Sequence, residues 1–295
     1  MIAIVGPTAS GKTEWGLALA KERGGEIVSV DSRQVYRYLT IGTAKPRGQW
    51  SPASPRTYLV DGIPYHLVDF LNPDAVFSAA DFARRAEDLI KGIRTRKRMP
   101  ILVGGTGFYF RALLEGLAPL PPADDALREE LRTVADHHGR EYLHHQLAQV
   151  DPLSATKIPF NNIHRVVRAL EVYRLTGKPI SQWHLEHPVK SNPDEPLEVI
   201  GLDPGKEELE KRLQQRCGWM LANGMIEETQ SILQKGFSDN CAGLSGLGYP
   251  HIVAFLKGTI SRDETLQRLI QDTRRYVKRQ RTWFGHQMKV QWKKS

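Results

Sequence analysis

The sequence predicts an α/β fold in which a parallel β-sheet is flanked by helices and interrupted by a helical insertion. Three observations support this prediction. Short apolar segments alternate with amphipathic helical segments through the first 116 residues, as in α/β proteins with a parallel sheet. Between residues 117 and 196, helical patterns replace the strand-like segments. Beyond Asp203 the pattern is helical to the end, so we expect a core of 1–116 and 197–295 around a helical domain of 117–196.

The first predicted strand, Met1–Val5, leads directly into a glycine-rich loop. The loop reads GPTASGKT, which fits G-x-x-x-x-G-K-[ST], and a helix is expected from about Glu14 to Lys21. Strand, loop and helix in this order favour a di- or triphosphate site, because backbone amides and the helix N-terminus attract anions. The expected phosphate-binding residues are Gly6, Pro7, Thr8, Ala9, Ser10, Gly11, Lys12 and Thr13. A chance match in a strand–helix turn is the alternative, and the flanking segments argue against it.

Within this loop, two side chains are suited to particular tasks. Lys12 can reach a terminal phosphate, and the hydroxyl of Thr13 can hold Mg²⁺. The loop alone does not specify which phosphate compound binds or what reaction follows.

Four further strands and one long helix are predicted in the core. The strands are Glu26–Val30, Pro64–Phe70, Pro100–Val103 and Leu197–Leu202, and the helix begins after Ser78, a typical N-cap residue. Ligands of open parallel sheets bind outside the carboxyl ends of the strands. This rule brings the glycine-rich loop, Asp31 and Gly104–Thr106 together around one crevice.

These residues have both functional and structural interpretations. Asp31 ends the second strand, where a carboxylate can hold Mg²⁺ or act as a base; a helix N-cap or a turn is the alternative. Gly104–Thr106 allows close backbone approach and offers a hydroxyl to a phosphate oxygen. Taken alone, the segment favours a strand-to-helix turn over a binding function.

Two arginines, Arg212 and Arg216, lie four residues apart on one predicted helix face. Two guanidinium groups with this spacing can clamp a diphosphate. The alternative is that they pair with the nearby carboxylates of Glu208 and Glu210.

Composition indicates a soluble protein of the reducing cytoplasm. Of the 295 residues, 40% are apolar and 25% are charged. No apolar run approaches the roughly 18 residues of a membrane span, and no targeting peptide is visible. Cys217 and Cys241 form neither a disulfide framework nor a metal knuckle. Histidine pairs at 137–138 and 144–145 are expected in an exposed helix, solvated rather than bound to metal.

Positive charge is concentrated at the C-terminus. Residues 274–295 contain eight lysines and arginines and no acidic residue, and the remaining 33 basic residues equal the 33 acidic ones. Tyr276, Trp283, Phe284 and Trp292 are interspersed among the cations. Such a segment suits a polyanion such as RNA, and a solvated helix face is the alternative.

Taken together, the motifs resemble those of the tRNA dimethylallyltransferases, also called tRNA isopentenyltransferases. In chain order they read GPTASGKT, DSRQVYRYLTIGTAKP, YHLVDFLNPDAVFSAADF, VGGTGFYFRALLEGLAPLP, NNIHRVVRALEVYRLTGKPIS, GLGYPHI and TRRYVKRQRTWF. The resemblance covers nearly the whole chain. It implies a P-loop NTPase-like fold and transfer of a dimethylallyl group from dimethylallyl diphosphate to N6 of adenine at tRNA position 37.

The resemblance also implies roles for the crevice residues. Lys12, Thr13 and the loop amides would hold the donor diphosphate and Mg²⁺, with Asp31 as a second candidate metal ligand. Asp31 would accept the proton from the adenine amine, and Thr106 would donate to the oxygen that bridges the allyl group and the diphosphate. Arg216 would neutralise the leaving group, supported by Arg212.

Contacts with tRNA, specifically the anticodon stem-loop, are implied as well. The expected residues are Asp31, Ser32, Arg33, Gln34, Arg128, Asn161, Asn162, Ile163, His164 and Arg165, together with Arg275, Lys278 and Arg279 of the basic tail. Gln34 is the expected reader of the adenine. We expect no membrane association, a cytoplasmic location and a monomer.

The chain departs from the common bacterial pattern at three points. Pro250 stands where many members have arginine, Cys217 replaces a usual aromatic residue, and no C-terminal zinc finger is visible. Three other functions would use a similar loop. A small-molecule kinase explains neither the insertion nor the basic tail, and both also argue against an isopentenyltransferase of free adenine nucleotides. A GTPase-like module would need an N-K-x-D motif, which the sequence lacks.

Overall fold

The computed structural model describes residues 1–52, 54, 56–188 and 197–295. The chain divides into two compact units, one formed by 1–114 and 192–295 and the other by 115–191. The sequence placed the insertion at 117–196. Most of its expected closing loop, PVKSNPDEP, lies outside the described residues.

The first unit is built on an eight-stranded sheet. Its strands are β1 (Ile2–Val5), β2 (Gly25–Val30), β3 (Gln49–Trp50), β4 (Tyr58–Val60), β5 (Ile63–His66), β6 (Met99–Gly104), β7 (Glu198–Leu202) and β8 (Gln291–Lys293). Their order is β3-β4-β5-β2-β6-β1-β7-β8. All neighbours from β5 to β8 run parallel, and β4 is antiparallel to β3 and β5. The predicted α/β class is confirmed.

Helices surround this sheet and form the second unit. Those of the first unit are α1 (Lys12–Arg23), α2 (Ala79–Thr95), α3 (Gly107–Glu115, whose last residue belongs to the second unit), α9 (Lys206–Ala222), α10 (Met225–Gln234), α11 (Tyr249–Leu256) and α12 (Arg262–Gln287). The second unit contains α4 (Asp125–His138), α5 (Arg140–Val150), α6 (Pro152–Lys157), α7 (Ile163–Thr176) and α8 (Ile180–Glu186). Ser78 caps α2 in a capping box with Asp81, as its sequence position predicts.

The central strands are buried on both faces, as expected for parallel strands covered by helices. Side chains alternate between two apolar clusters: Val28 and Leu102 lie in one, Ile27 and Ile101 in the other. The long helix α12 contributes Phe284 to the first cluster, where its ring packs edge-on against a phenylalanine of α3. The sheet is therefore a rigid base for the loops at the carboxyl ends of its strands.

A third cluster anchors the segment that follows β2. Val35 and Leu39 of this segment are fully buried and share a cluster with Leu213 of α9, Met225 of α10 and Leu269 of α12. The segment therefore packs on the C-terminal helices, and its position depends on them.

Two element predictions were wrong. The chain is not helical to its end, because residues 291–293 pair with β7 and the Trp292 ring covers Gly201. The strand predicted at Pro64–Phe70 stops at His66, since Leu67 and Asp69 have φ values of 57° and 55°, which break an extended backbone. The short hairpin of β3 and β4 was not predicted.

The helical unit has its own core and its own buried charge cluster. Leu131, Leu143 and Val166 are fully buried where the helices meet. The Glu171 carboxylate is also fully buried and accepts hydrogen bonds from Arg168 and from the backbone amide of Asp124. Within the described ranges, no helix is long and apolar enough to cross a membrane.

Candidate active site

A cleft of about 940 Å³ lies at the carboxyl ends of the central strands of the first unit. Its walls include Thr8–Glu14 after β1, Asp31–Gln34 after β2 and Gly104–Gly105 at the end of β6. Helices α9 and α12 complete it with Arg212, Arg216, Trp219, Asp272, Tyr276, Arg279 and Gln280. The three segments that the sequence assigned to one crevice therefore lie together.

The glycine-rich loop has φ values at Gly6 and Gly11 that favour glycine. Gly6 has φ of 143°, and an added Cβ atom would lie 2.5 Å from the Leu202 carbonyl oxygen of β7. Gly11 has φ of 82° and is the N-cap of α1, which begins two residues earlier than predicted. The loop thus passes tightly over the sheet and presents the N-terminus of α1 to the cleft.

Lys12 lies in this loop close to a second cation. Its Nζ donates a 2.5 Å hydrogen bond to the Pro7 carbonyl oxygen across the loop. Burial, together with the positive charge of Arg216, lowers the pKa of Lys12 to about 7, and the negative charges of Asp31 and Glu14 oppose the shift. Because two cations converge where the described residues give Lys12 no close carboxylate partner, a bound polyphosphate would relieve the repulsion.

Arg216 is the second cation of this region. It is half-buried, and burial lowers its pKa, although a guanidinium remains protonated. In the part of the chain that the structure describes, it has no hydrogen bond and no ion pair within 4.0 Å. Arg212 differs, because its Nε donates a 2.6 Å hydrogen bond to Glu208. The carboxylate pairing considered for both arginines therefore occurs at Arg212.

Asp31 uses one carboxylate oxygen to shape its turn. Oδ1 accepts hydrogen bonds from the backbone amides of Arg33 (2.8 Å) and Gln34 (3.2 Å). No described residue donates a hydrogen bond to Oδ2. The structural and functional interpretations of Asp31 are therefore compatible, since one oxygen fixes the turn and the other remains able to accept a proton.

Thr106, which follows β6, is hydrogen-bonded to the turn that follows β2. Its Oγ1 accepts a 3.1 Å hydrogen bond from the backbone amide of Ser32. Burial raises the pKa of Tyr276, which therefore remains a neutral phenol. Thr106 itself is not among the residues lining the cleft, but it immediately follows Gly105, which is.

The DSRQ segment points largely into the protein. Arg33 donates to the Ala242 carbonyl oxygen (2.8 Å) and to Ser245 Oγ (3.0 Å). Gln34 is buried, with 8% of the residue exposed; its Nε2 donates to the Ala44 carbonyl oxygen at 3.2 Å, and its Oε1 accepts from Ser29. Both side chains therefore have partners inside the protein, which sequence reasoning did not anticipate, and the reading of adenine by Gln34 stays a prediction.

The tRNA candidates of the helical unit fall into two groups. Asn161, His164 and Arg165 are exposed at the start of α7, with Asn162 and Ile163 half-buried beside them. Arg128, in contrast, is bound to the buried Glu171 at 2.9 Å, so it stabilises the unit. His144 Nε2 donates to the backbone carbonyl oxygens of Ala155 and Ile158 inside the unit, so His144 is not the solvated histidine that was expected.

The basic tail is less uniformly cationic than its sequence suggests. Arg274 and Arg281 pair with Glu210 and Asp203, and Arg275 pairs with Asp272 at 3.1 Å. Arg279 lies over the Tyr276 ring at 5.8 Å and lines the cleft. Lys278 lines a separate shallow groove between α9 and α12. The three predicted tail contacts therefore face different surroundings.

Sequence reasoning missed the residue that connects two of the loops. Gln280 is buried; its Oε1 accepts from the Thr8 amide at 2.9 Å, and its Nε2 donates to the Gly105 carbonyl oxygen at 2.9 Å. It lies within the KRQRTWF motif, whose lysine and arginines predicted an RNA-binding role for the segment. Its position between basic residues gave no sign that it is buried.

Among the described residues, no group of three His, Cys, Asp or Glu side chains could hold a metal ion. Mg²⁺ commonly uses one or two protein oxygens and completes its shell with water and substrate phosphate. Thr13 and Asp31 both line the cleft, and the buried Ser10 hydroxyl has no hydrogen-bond partner among the described residues. These oxygens fit a metal–diphosphate complex rather than a metal held by protein alone.

Comparison with known proteins identifies close relatives. The sequence pattern of the family described as IPP transferase matches residues 34–287. The chain is 45% identical over 284 residues to the tRNA dimethylallyltransferase of Elusimicrobium minutum, covering 96% of this chain and 91% of that protein. It is 43% identical over 292 residues to that of Geobacter sulfurreducens, covering 99% and 91%.

Solved structures show the same relationship. The full-length tRNA isopentenylpyrophosphate transferase of Bacillus halodurans is 37% identical, with a TM-score of 0.69 over 99% of this chain and 88% of that one. A eukaryotic dimethylallyltransferase acting on tRNA shares the fold, with a TM-score of 0.76 and 24% identity over 99% of this chain and 73% of the other.

Proposed function

Because the chain belongs to the IPP transferase family, a group of tRNA-modifying transferases, we propose that its cleft alkylates adenine 37 in the anticodon loop. The donor is dimethylallyl diphosphate, and the products are N6-dimethylallyladenosine and diphosphate. One observation supports this most directly: Lys12, Arg216 and Asp31 line one cleft, and among the described residues neither the Arg216 guanidinium nor Asp31 Oδ2 has a hydrogen-bond partner. A prenyl transfer from a diphosphate to an amine needs both.

The diphosphate binds on the phosphate loop. Amides at the N-terminus of α1 donate to its oxygens, and Lys12 exchanges its bond to the Pro7 carbonyl oxygen for a phosphate oxygen. Arg216 approaches from α9 and forms charge-assisted hydrogen bonds to the same group. These donors are in place before the reaction, so they stabilise the negative charge that grows on the leaving diphosphate.

Asp31 is the general base. The adenine amine is a weak nucleophile, since its lone pair is delocalised into the ring. As the bond between N6 and the allylic carbon forms, the bond between that carbon and the diphosphate oxygen breaks, and the N6 proton passes to Asp31 Oδ2. General base catalysis of this kind contributes about 10²–10⁴-fold.

Thr106 donates its hydroxyl hydrogen to the oxygen that leaves with the diphosphate. The Ser32 amide already occupies one lone pair of Thr106 Oγ1, which orients the hydroxyl group. Mg²⁺, held by Thr13, would neutralise charge on the diphosphate. Several groups of the protein thus stabilise the leaving diphosphate, while the Asp31 carboxylate accepts the proton.

The RNA is recognised outside the reacting centre. Asn161, His164 and Arg165 at the exposed start of α7 contact the anticodon arm, and Arg279 contributes a cation at the cleft. The target adenine must leave its stack to reach Asp31, which costs a few kcal/mol. A loop whose bases are already partly unstacked keeps this cost low. The enzyme acts as a monomer in the cytoplasm.

The experiment is incubation of the protein with Mg²⁺ and radiolabelled dimethylallyl diphosphate. One tube contains an anticodon stem-loop with adenine at position 37, a second the same stem-loop with guanine there, and a third AMP. We expect label only in the adenine stem-loop. Label in AMP would identify an enzyme of free nucleotides, and label in no tube, with folding verified by circular dichroism, would contradict prenyl transfer.

A further inference from the structure

A carboxylate on α10 holds the loop that forms one wall of the cleft. Glu228 Oε2 accepts hydrogen bonds from the backbone amides of Thr40 (2.6 Å) and Ile41 (2.7 Å), and Oε1 accepts from the amide of Gly42 at 3.2 Å. Thr40, Ile41 and Gly42 line the cleft. Successive backbone amides of this kind commonly bind anions, and here the anion is the carboxylate of Glu228.

Tyr249 completes this arrangement from α11. Its hydroxyl donates a 2.6 Å hydrogen bond to Glu228 Oε1, and the ring is 1% exposed. A side chain at Gly42 would collide with this hydroxyl group, so the loop and Tyr249 are in direct contact. Burial and the charge of Glu228 keep the pKa of Tyr249 well above 10, so the phenol remains a donor.

The same loop is connected to the proposed base. Gln34 donates to the carbonyl oxygen of Ala44 at 3.2 Å, and the Gln34 backbone amide donates to Asp31 Oδ1. Ala44 has φ of 45°, an unfavourable value for a residue with a side chain, so the surrounding contacts must hold it there. Hydrogen bonds therefore run from Glu228 through the loop and Gln34 to Asp31.

We propose that Glu228 and Tyr249 form a bracket that positions loop 40–44 and, through Gln34, the carboxylate of Asp31. Both are positioning residues, since neither touches the reacting atoms. The proposal rests on the function proposed above and gives the GLGYPHI segment a role in transfer chemistry. Losing the bracket lets the loop open, which misplaces Asp31 and the adenine while the phosphate loop is unchanged.

The test compares Glu228→Gln and Tyr249→Phe with the matched control Glu227→Gln. Glu227 is the exposed neighbour on the same helix, and no described residue forms a hydrogen bond with its side chain. In Glu228→Gln we expect kcat/KM for the stem-loop to fall at least tenfold, with diphosphate affinity within twofold of wild type. Tyr249→Phe should show a smaller fall, and the double variant should lose less than the product of the two single losses.

A second readout does not depend on activity. Amide hydrogen exchange of a peptide covering residues 38–46 should accelerate in Glu228→Gln and Tyr249→Phe and remain unchanged in Glu227→Gln. Unchanged exchange in a folded Glu228→Gln protein would refute the bracket. Faster exchange together with a wild-type kcat/KM would refute the positioning role. Equal losses of diphosphate affinity and of RNA transfer would also refute it, because they would indicate a general disturbance of the fold.

A wild-type protein that transfers no label to RNA would instead contradict the proposed function. In that case the exchange measurement still decides whether the bracket holds the loop.

Discussion

Lys12 should take up a proton when a diphosphate binds. In the unliganded protein its pKa is lowered to about 7 by burial and by Arg216. A diphosphate adds negative charge beside Nζ, which favours the ammonium form and raises the pKa. Binding above pH 7 is therefore coupled to protonation, and affinity must fall as pH rises.

The size of the effect follows from the pKa of about 7. At pH 8 about a tenth of the unliganded molecules have a protonated Lys12, so full protonation in the complex corresponds to uptake of ~0.9 proton. At pH 6 the lysine is already mostly charged, and the uptake shrinks to ~0.1 proton. Above pH 7 the apparent Kd should increase by up to about tenfold for each pH unit.

The assay is isothermal titration calorimetry with a non-hydrolysable dimethylallyl diphosphate analogue and Mg²⁺, in two buffers with different ionisation enthalpies. Lys12→Arg is the control, since a guanidinium stays protonated at both pH values. Subtracting its proton uptake removes protons that belong to the ligand. An uptake at pH 8 equal to that of Lys12→Arg would refute the assignment of Lys12 to the diphosphate.

Three further predictions concern other parts of the cleft. Arg216→Gln should lower kcat by about 10²–10³-fold, whereas Arg212→Gln should lower it less, because Arg212 is already paired with Glu208; equal losses in steady-state kinetics would contradict this ranking. Gly6→Ala should reduce the free energy of unfolding, measured by urea titration, by about 1–3 kcal/mol. The control Gly218→Ala, with nothing within 4 Å of its added methyl group, should be neutral or stabilising. Wild-type stability of Gly6→Ala would refute the close approach to β7. Arg279→Gln should reduce the magnitude of the negative slope of log K against log salt for stem-loop binding by about 0.7–0.9, whereas Arg281→Gln should leave it unchanged, because Arg281 pairs with Asp203. A slope for Arg279→Gln equal to that of wild type would place the RNA elsewhere.

Much of the sheet could be predicted because its strands are short apolar runs with clear ends. The phosphate loop was predictable because its glycines and lysine form a fixed pattern before a helix. Strand β8 was missed, since its residues QWK carry no apolar run and are held by pairing with β7. Pairing between segments distant in sequence leaves little local signal.

In the site, too, features encoded by local sequence could be predicted, and features that depend on distant residues could not. The location of Lys12 and Asp31 in one cleft could be predicted from their places after β1 and β2. The internal use of Gln34 could not, because it depends on a loop whose position is fixed by Glu228, 188 residues after Thr40. A single sequence shows which functional group a side chain carries, but burial and packing decide which partner that group contacts.

The measurement that tests the central claim most directly is single-turnover transfer to an adenine-37 stem-loop by wild type and Asp31→Asn. Both substrates are saturating, and digested nucleosides are analysed by mass spectrometry. The asparagine Oδ1 can still accept the amides of Arg33 and Gln34, so the turn is preserved while the proton acceptor is lost. We predict N6-dimethylallyladenosine at position 37 from wild type and a rate about 10²–10⁴-fold lower from Asp31→Asn, with unchanged RNA affinity. Equal rates for the two proteins, or a product alkylated at another atom, would contradict the account.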